Sequence, residues 1–174
     1  RPSRWVIMDD GSTDDTWEII RRYAEQAGFI EGCRRRRDAN ETYYGSNVHA
    51  ILQGYAKVKD LEFDYLGILD ADMILCPRYY EEIFRRFEAN RALGIAAGTY
   101  VEEIAGRQVE AFIDRRSTPK ALQVFRRACY EQIGGFQHTF EEGGGRVVKK
   151  LWSPLNTADY APYVAQIADC DVVV

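Results

Sequence analysis

Apolar positions in this chain fall into short continuous runs that alternate with helical stripes. Trp5-Val6-Ile7-Met8 is a continuous apolar run stopped by Asp9-Asp10-Gly11, the pattern of a strand buried on both faces of a parallel sheet. Ser12, Thr13 and Asp14 are helix-capping types, and Trp17, Ile20, Tyr23, Ala24 and Ala27 then share one stripe as far as Gly28. Phe29 to Arg37 predicts a second strand. Its Arg34–Arg37 run would put two guanidinium groups on each face, so it belongs at a sheet edge or a strand exit. Val48, Ile51, Leu52 and Tyr55 mark a helix from about Gly45 to Lys57. Phe63 to Leu69 reads as a buried strand ending at Asp70-Ala71-Asp72, and Pro77 opens a helix striped by Tyr80, Ile83, Phe84 and Phe87. Strands follow at Leu93–Val101, Gln108–Ile113 and Leu122–Phe125. A short helix, Arg127–Ile133, is then ended by Gly134-Gly135. Strands alternating with helices over short links predict an α/β domain with a mainly parallel central sheet flanked by helices. Beyond Phe136 the periodicity weakens, and Glu141-Glu142-Gly143-Gly144-Gly145 reads as a loop. Residues 1–136 are therefore read as one domain, and 137–174 as a poorly defined tail or the far end of the same domain.

Composition narrows the class. The chain has 174 residues, 46% of them hydrophobic, which is enough for one folded domain and excludes bulk disorder. A net charge of −4 argues against a dedicated nucleic-acid binder. No apolar run approaches the ~18 residues of a membrane span, and the first residues do not form a signal peptide. Cys33, Cys76, Cys129 and Cys170 are widely spaced without a C-x-x-C pair, which reads as thiols in a reducing compartment, neither staple nor zinc site. The opening Arg1-Pro2-Ser3 lacks a Met and enters an apolar run at once, so the chain is expected to be a piece of a longer protein.

Two acidic clusters, Asp9-Asp10-Gly11-Ser12 and Asp70-Ala71-Asp72, end predicted strands. Ligands of open parallel sheets bind beyond the carboxyl ends of strands. In an extended segment Asp70 and Asp72 would project to one side, a hard-oxygen pair suited to Mg²⁺ or Mn²⁺. The plainer explanation is that Asp is a favoured turn and cap residue. His49 and His138 have no spaced partners for a metal, and His49 reads as a helix-surface or packing residue. The arginine run reads as a solvated strand end in preference to a phosphate site.

The string Trp5-Val6-Ile7-Met8-Asp9-Asp10-Gly11-Ser12-Thr13-Asp14, with Thr16 following, resembles the nucleotide-binding signature of family-2 glycosyltransferases. Tyr65-Leu66-Gly67-Ile68-Leu69-Asp70-Ala71-Asp72 resembles that family's D-x-D segment. Gly45 with Ala50-x-x-x-Gly54 resembles part of the intervening A-R-N-x-G segment, and Phe125-Arg126-Arg127 with Tyr130 to Phe136 resembles the stretch before the acceptor site. The resemblance implies a Rossmann-like GT-A fold whose first strand would precede Arg1. It implies transfer of a sugar from a UDP- or GDP-sugar to the hydroxyl of a glycan, lipid carrier or protein, with inversion and with Mg²⁺ or Mn²⁺. Asp9, Asp10, Gly11 and Ser12 would then serve the nucleotide, Asp10 contacting the base. Asp70 would hold the ribose and Asp72 the cation, while Glu141 or Glu142 would stand where the family has its general base. A cytoplasmic location, including the inner face of the membrane, follows from the donor and the cysteine usage. Two other readings stand beside this one. The first is a non-catalytic remnant that binds nucleotide or a partner, because the acidic pair after Phe136 departs from the family pattern. The second is a phosphoryl-transfer receiver-like protein, which also places aspartates after successive strands.

Overall fold

The computed structural model describes residues 1–38, 41–110, 118–135, 137–140, 146–149 and 164–173. The chain divides into two compact units, Arg1–Glu62 with Phe136–Leu151, and Phe63–Gly135 with Trp152–Val174.

In the first unit, β1 (Trp5–Asp9) and β2 (Ile30–Arg34) pair in parallel, in a register running from Trp5 opposite Ile30 to Asp9 opposite Arg34. The connection between them carries α1 (Thr16–Gln26), whose first turn is tied down by Asp14 Oδ1 accepting from Thr16 N at 3.1 Å. Ile20 is the buried anchor of the α1 stripe, and it sits against Gly32 so closely that a Cβ there would lie 2.7 Å from its Cγ2. Tyr23, expected on the same stripe, is 51% exposed. The helix therefore buries a narrower face than its pattern offers. The next helix, α2 (Tyr43–Ala56), starts two residues before the expected Gly45, because Thr42 Oγ1 accepts from Gly45 N at 3.1 Å and closes the first turn. It packs on β1, with Gly54 against Met8. Two short strands, β7 (Gln137–Phe140) and β8 (Arg146–Lys149), pair antiparallel in this unit, so His138 lies in a strand.

The second unit holds a sheet in the order β3 (Tyr65–Gly67), β6 (Val124–Arg126), β4 (Ile95–Ile104), β5 (Arg107–Glu110), with β9 (Val164–Val173) also paired to β4. The α/β class stands, but this sheet departs from the parallel expectation. Here β6 runs antiparallel to both of its neighbours, β5 is antiparallel to β4, and only the β4–β9 pairing is parallel. The β4–β5 link explains its own case: two residues, Ala105 and Gly106, join the strands, and only an antiparallel partner is reachable over such a link. The core forms where α3 (Tyr79–Ala89) lays Tyr79, Ile83 and Phe87 on Leu93, Ala96, Ala97, Leu122 and Val124. Burying each large side chain is worth about 2 kcal/mol, so this i, i+4, i+8 stripe holds α3 in place. Tyr80, expected in that stripe, is rotated out to 38% exposure. Arg126 fastens the far end of the helix, donating to Phe87 O at 2.9 Å and Leu93 O at 3.1 Å, as suits a cation at a helix C-terminus. Directly after β6, α4 (Arg127–Gln132) ends at Gly134 and Gly135, both with positive φ.

The cysteines correct the sequence reading. Cys33 and Cys129 are free, but Cys76 is disulfide-bonded. Wide spacing along a chain does not bear on approach in space, and the reducing-compartment argument loses its basis. Among the described residues no helix is long and apolar enough to cross a membrane.

Candidate functional site

The end of β1 is built around two carboxylates held by two arginines. Asp9 is 2% exposed. Its Oδ1 accepts from Ser12 N at 2.8 Å and its Oδ2 lies 2.9 Å from Arg34 Nε. The parallel register produces this pair, since Arg34 stands opposite Asp9, and Arg35 N donates to Asp9 O at 2.9 Å one step further on. Arg34 also donates to Ser12 O at 2.6 Å, closing the Asp9–Ser12 turn from outside. That turn needs Gly11, whose φ is +85°, a region costly for any residue with a Cβ.

Asp10 is gripped from the other side. Its Oδ2 accepts from Ser46 Oγ in the first turn of α2, and its Oδ1 lies 3.1 Å from Arg35 Nε. Arg35 is buried and also donates to Ser46 O at 2.9 Å and to Glu41. Glu41 takes a further hydrogen bond from His49 Nδ1. Burial alone would push the Glu41 carboxyl up; the hydrogen bonds from His49 and Arg35 outweigh it and hold it at about 2. An open cleft of about 670 Å³ adjoins this network, lined by Gly11–Asp14, Glu18 and Arg34–Arg37.

In the second unit, the strand pairing of β3 is prolonged past Gly67 by Ile68 N donating to Gln123 O and Asp70 N to Ala121 O, both at 2.8 Å. Asp70 is thereby placed at the end of an extended segment beside a 3₁₀ turn, Lys120–Leu122. Lys120 Nζ donates to Asp70 Oδ1 at 2.7 Å. Tyr79, whose phenol is pushed up by burial, donates to Leu122 O at 2.5 Å and accepts from Gly98 N at 3.2 Å, fixing that 3₁₀ turn to α3 and β4. The same-side argument for Asp70 and Asp72 does not survive. Residues 71 and 72 form a turn closed by Met73 N to Asp70 O at 3.4 Å, so the segment is not extended there. Asp72 is exposed on that turn.

Asp9, Asp10, Gly11 and Ser12 thus stand together at one strand end, and Asp70 and Asp72 share one turn in the other unit. Glu141 and Glu142 lie outside the described residues. The sequence reading missed Arg34, Arg35, Glu41, Ser46, His49 and Lys120. Half of the arginine run, read as a solvated strand end, is in fact committed to Asp9 and Asp10. A signal was present: a parallel pairing of the two predicted strands, aligned at their polar exits, sets acids against arginines.

The family model described as glycosyl transferase family 2 matches residues 2–148. The chain belongs to glycosyl transferase family 2. Solved structures agree on the fold. A mannosyltransferase, PcManGT from Pyrobaculum calidifontis, in complex with GDP-Man and Mn²⁺, superposes with a TM-score of 0.65 at 16% identity, covering 99% of this chain and 48% of that one. GalNAc-T7, solved with UDP, GalNAc and Mn²⁺, gives 0.57 at 10% identity, covering 98% of this chain and 37% of that one. The chain therefore has the α/β fold of GT-A glycosyltransferases and spans less than half the length of either structure. No curated protein sequence matches it significantly. The family membership takes the place of the receiver-like alternative.

Proposed function

We propose that this chain binds the donor for a glycosyltransferase that moves a sugar from a nucleoside-diphosphate sugar to an acceptor hydroxyl, with inversion and with a divalent cation. The observation that carries this reading is the Asp9–Asp10 strand end, each carboxylate held by its own arginine, in a chain of family 2. A carboxylate held by a cation and a hydroxyl keeps lone pairs for a further donor, and Asp10 offers them to a ring N–H of the base. Asp70, steadied by Lys120, accepts from the ribose hydroxyls.

The donor set fits a hard cation. Asp72 is exposed and makes no hydrogen bond or ion pair among the described residues. Among the described residues no group of three or more His, Cys, Asp or Glu forms a ready cage either. One carboxylate completed by phosphate oxygens and waters is a common way to hold Mg²⁺ or Mn²⁺. When bound, such an ion offsets the negative charge that develops on the departing diphosphate. In the transfer itself the acceptor oxygen bonds to the anomeric carbon as the diphosphate oxygen leaves from the opposite side. The acceptor's proton goes to Glu141 or Glu142 as general base. The nucleotides in PcManGT and GalNAc-T7, GDP-Man and UDP, leave both bases as candidates for this chain.

The test is calorimetric titration with UDP and with GDP, each with and without Mn²⁺, on a chain shown to be folded by circular dichroism. Binding of one nucleotide that depends on the metal is expected. Asp72→Asn should abolish the metal dependence and leave the fold intact, because the residue is exposed on a turn. A folded chain that binds neither nucleotide overturns the reading in favour of the non-catalytic remnant.

A further inference from the structure

Arg35 holds Asp10 without touching the nucleotide in the reading above, and it is buried. Its side chain is 6% exposed, with Nε 3.1 Å from Asp10 Oδ1, one Nη donating to Ser46 O at 2.9 Å and the other donating to Glu41. Asp10 Oδ1 and Arg35 Nε are sealed from solvent without an aligned hydrogen bond between them, so the contact is charge against charge. Ser46 Oγ covers the other Asp10 oxygen while Ser46 O holds Arg35. One residue at the start of α2 therefore grips both partners. His49 backs Glu41 from the next turn of the same helix.

A buried cation between two carboxylates is a poor source of stability, since desolvation offsets much of the Coulomb attraction. What the arrangement does supply is orientation. Asp10 cannot turn its carboxylate plane without leaving Arg35 or Ser46, and Arg35 cannot follow it while Glu41 and Ser46 O hold the other end of the guanidinium. We propose that Arg35 is a positioning residue for nucleotide recognition: it sets the plane of the Asp10 carboxylate for a base ring N–H, and Glu41 keeps Arg35 in that pose. The inference rests on the assignment of Asp10 to the base. A purely structural Arg35 would instead weaken every ligand in proportion to lost stability, whatever its base.

The two cases separate in a ratio. The chain is titrated with UDP or GDP, whichever it binds, and with the analogue methylated on the ring nitrogen, N3-methyl-UDP or N1-methyl-GDP. Wild type is expected to prefer the unmethylated nucleotide by on the order of tenfold or more, the value of a hydrogen bond to a charged group. Arg35→Gln should bring that ratio close to one while binding the methylated analogue within about twofold of wild type, and Arg35→Lys should recover part of the preference. Glu41→Gln gives a second reading of the same ratio should Arg35→Gln fail to fold, and it should fall there too. An unchanged ratio in whichever of these variants folds overturns the proposal and leaves the Asp10 contact standing. A wild-type ratio of one overturns the assignment of Asp10 to the base, and this inference with it.

Discussion

Glu41 sits between a guanidinium and an imidazole with its side chain 13% exposed, and its carboxyl is held at about 2 against an ordinary 4.5. A carboxyl lowered in the folded state stabilises the fold in full above its unfolded value. That contribution drains away as the pH falls from 4.5 toward 2, because the unfolded chain takes up the proton first. Urea denaturation across that window should therefore show Glu41→Gln losing stability less steeply than wild type; parallel curves would mean that Glu41 is not held down. At this scale the candidate site was only half legible. Asp9, Asp10 and Gly11 stand out in the sequence because two acids and a glycine directly follow an apolar run. Arg35, Glu41 and Ser46 do not stand out, since they come from three separate segments and their meaning lies in Asp10, which only the parallel pairing and the entry of α2 bring to them.

At the scale of elements, the places where two elements meet at a glycine are the most sensitive. A Cβ at Gly32 would lie 2.7 Å from Ile20 Cγ2, and Ile20 is the buried anchor of α1. Gly32→Ala should cost about 1–3 kcal/mol through overpacking, and combining it with Ile20→Ala should cost less than the two changes summed, as denaturant curves of the four proteins would show. The β4–β5 link is a site of the opposite kind. Ala105 at φ 53° and Gly106 at φ 75° form a two-residue turn with both φ positive, which Asn-Gly favours and Ala does not. Ala105→Asn should stabilise the chain by about 1 kcal/mol; a thermal midpoint that falls would contradict this account. The strand and helix positions themselves were mostly readable from period and caps, with ends shifted by a few residues. Strand direction in the second unit was not, because a run of apolar residues carries no sign of which way its neighbours travel.

For the whole molecule, the disulfide at Cys76 is the clearest instance of a property invisible in spacing. Alkylation of the denatured, unreduced chain followed by peptide mass analysis should label Cys33 and Cys129 and spare Cys76, which becomes reactive only after reduction. Labelling of Cys76 without reductant would contradict the bond. Each of the two units has its own sheet and its own acidic strand end.

By itself the sequence determined the α/β class, the family and the two acidic turns. Apolar period, turn residues and the Asp-Asp-Gly-Ser string are local, and local chemistry is what a chain carries on its face. Only the tertiary structure decided which cations hold those acids, which strands run against one another and which cysteine is bonded. Apart from the β4–β5 hairpin, these are meetings of residues well separated along the chain, chosen by strand register and packing, and no short window of sequence contains both partners.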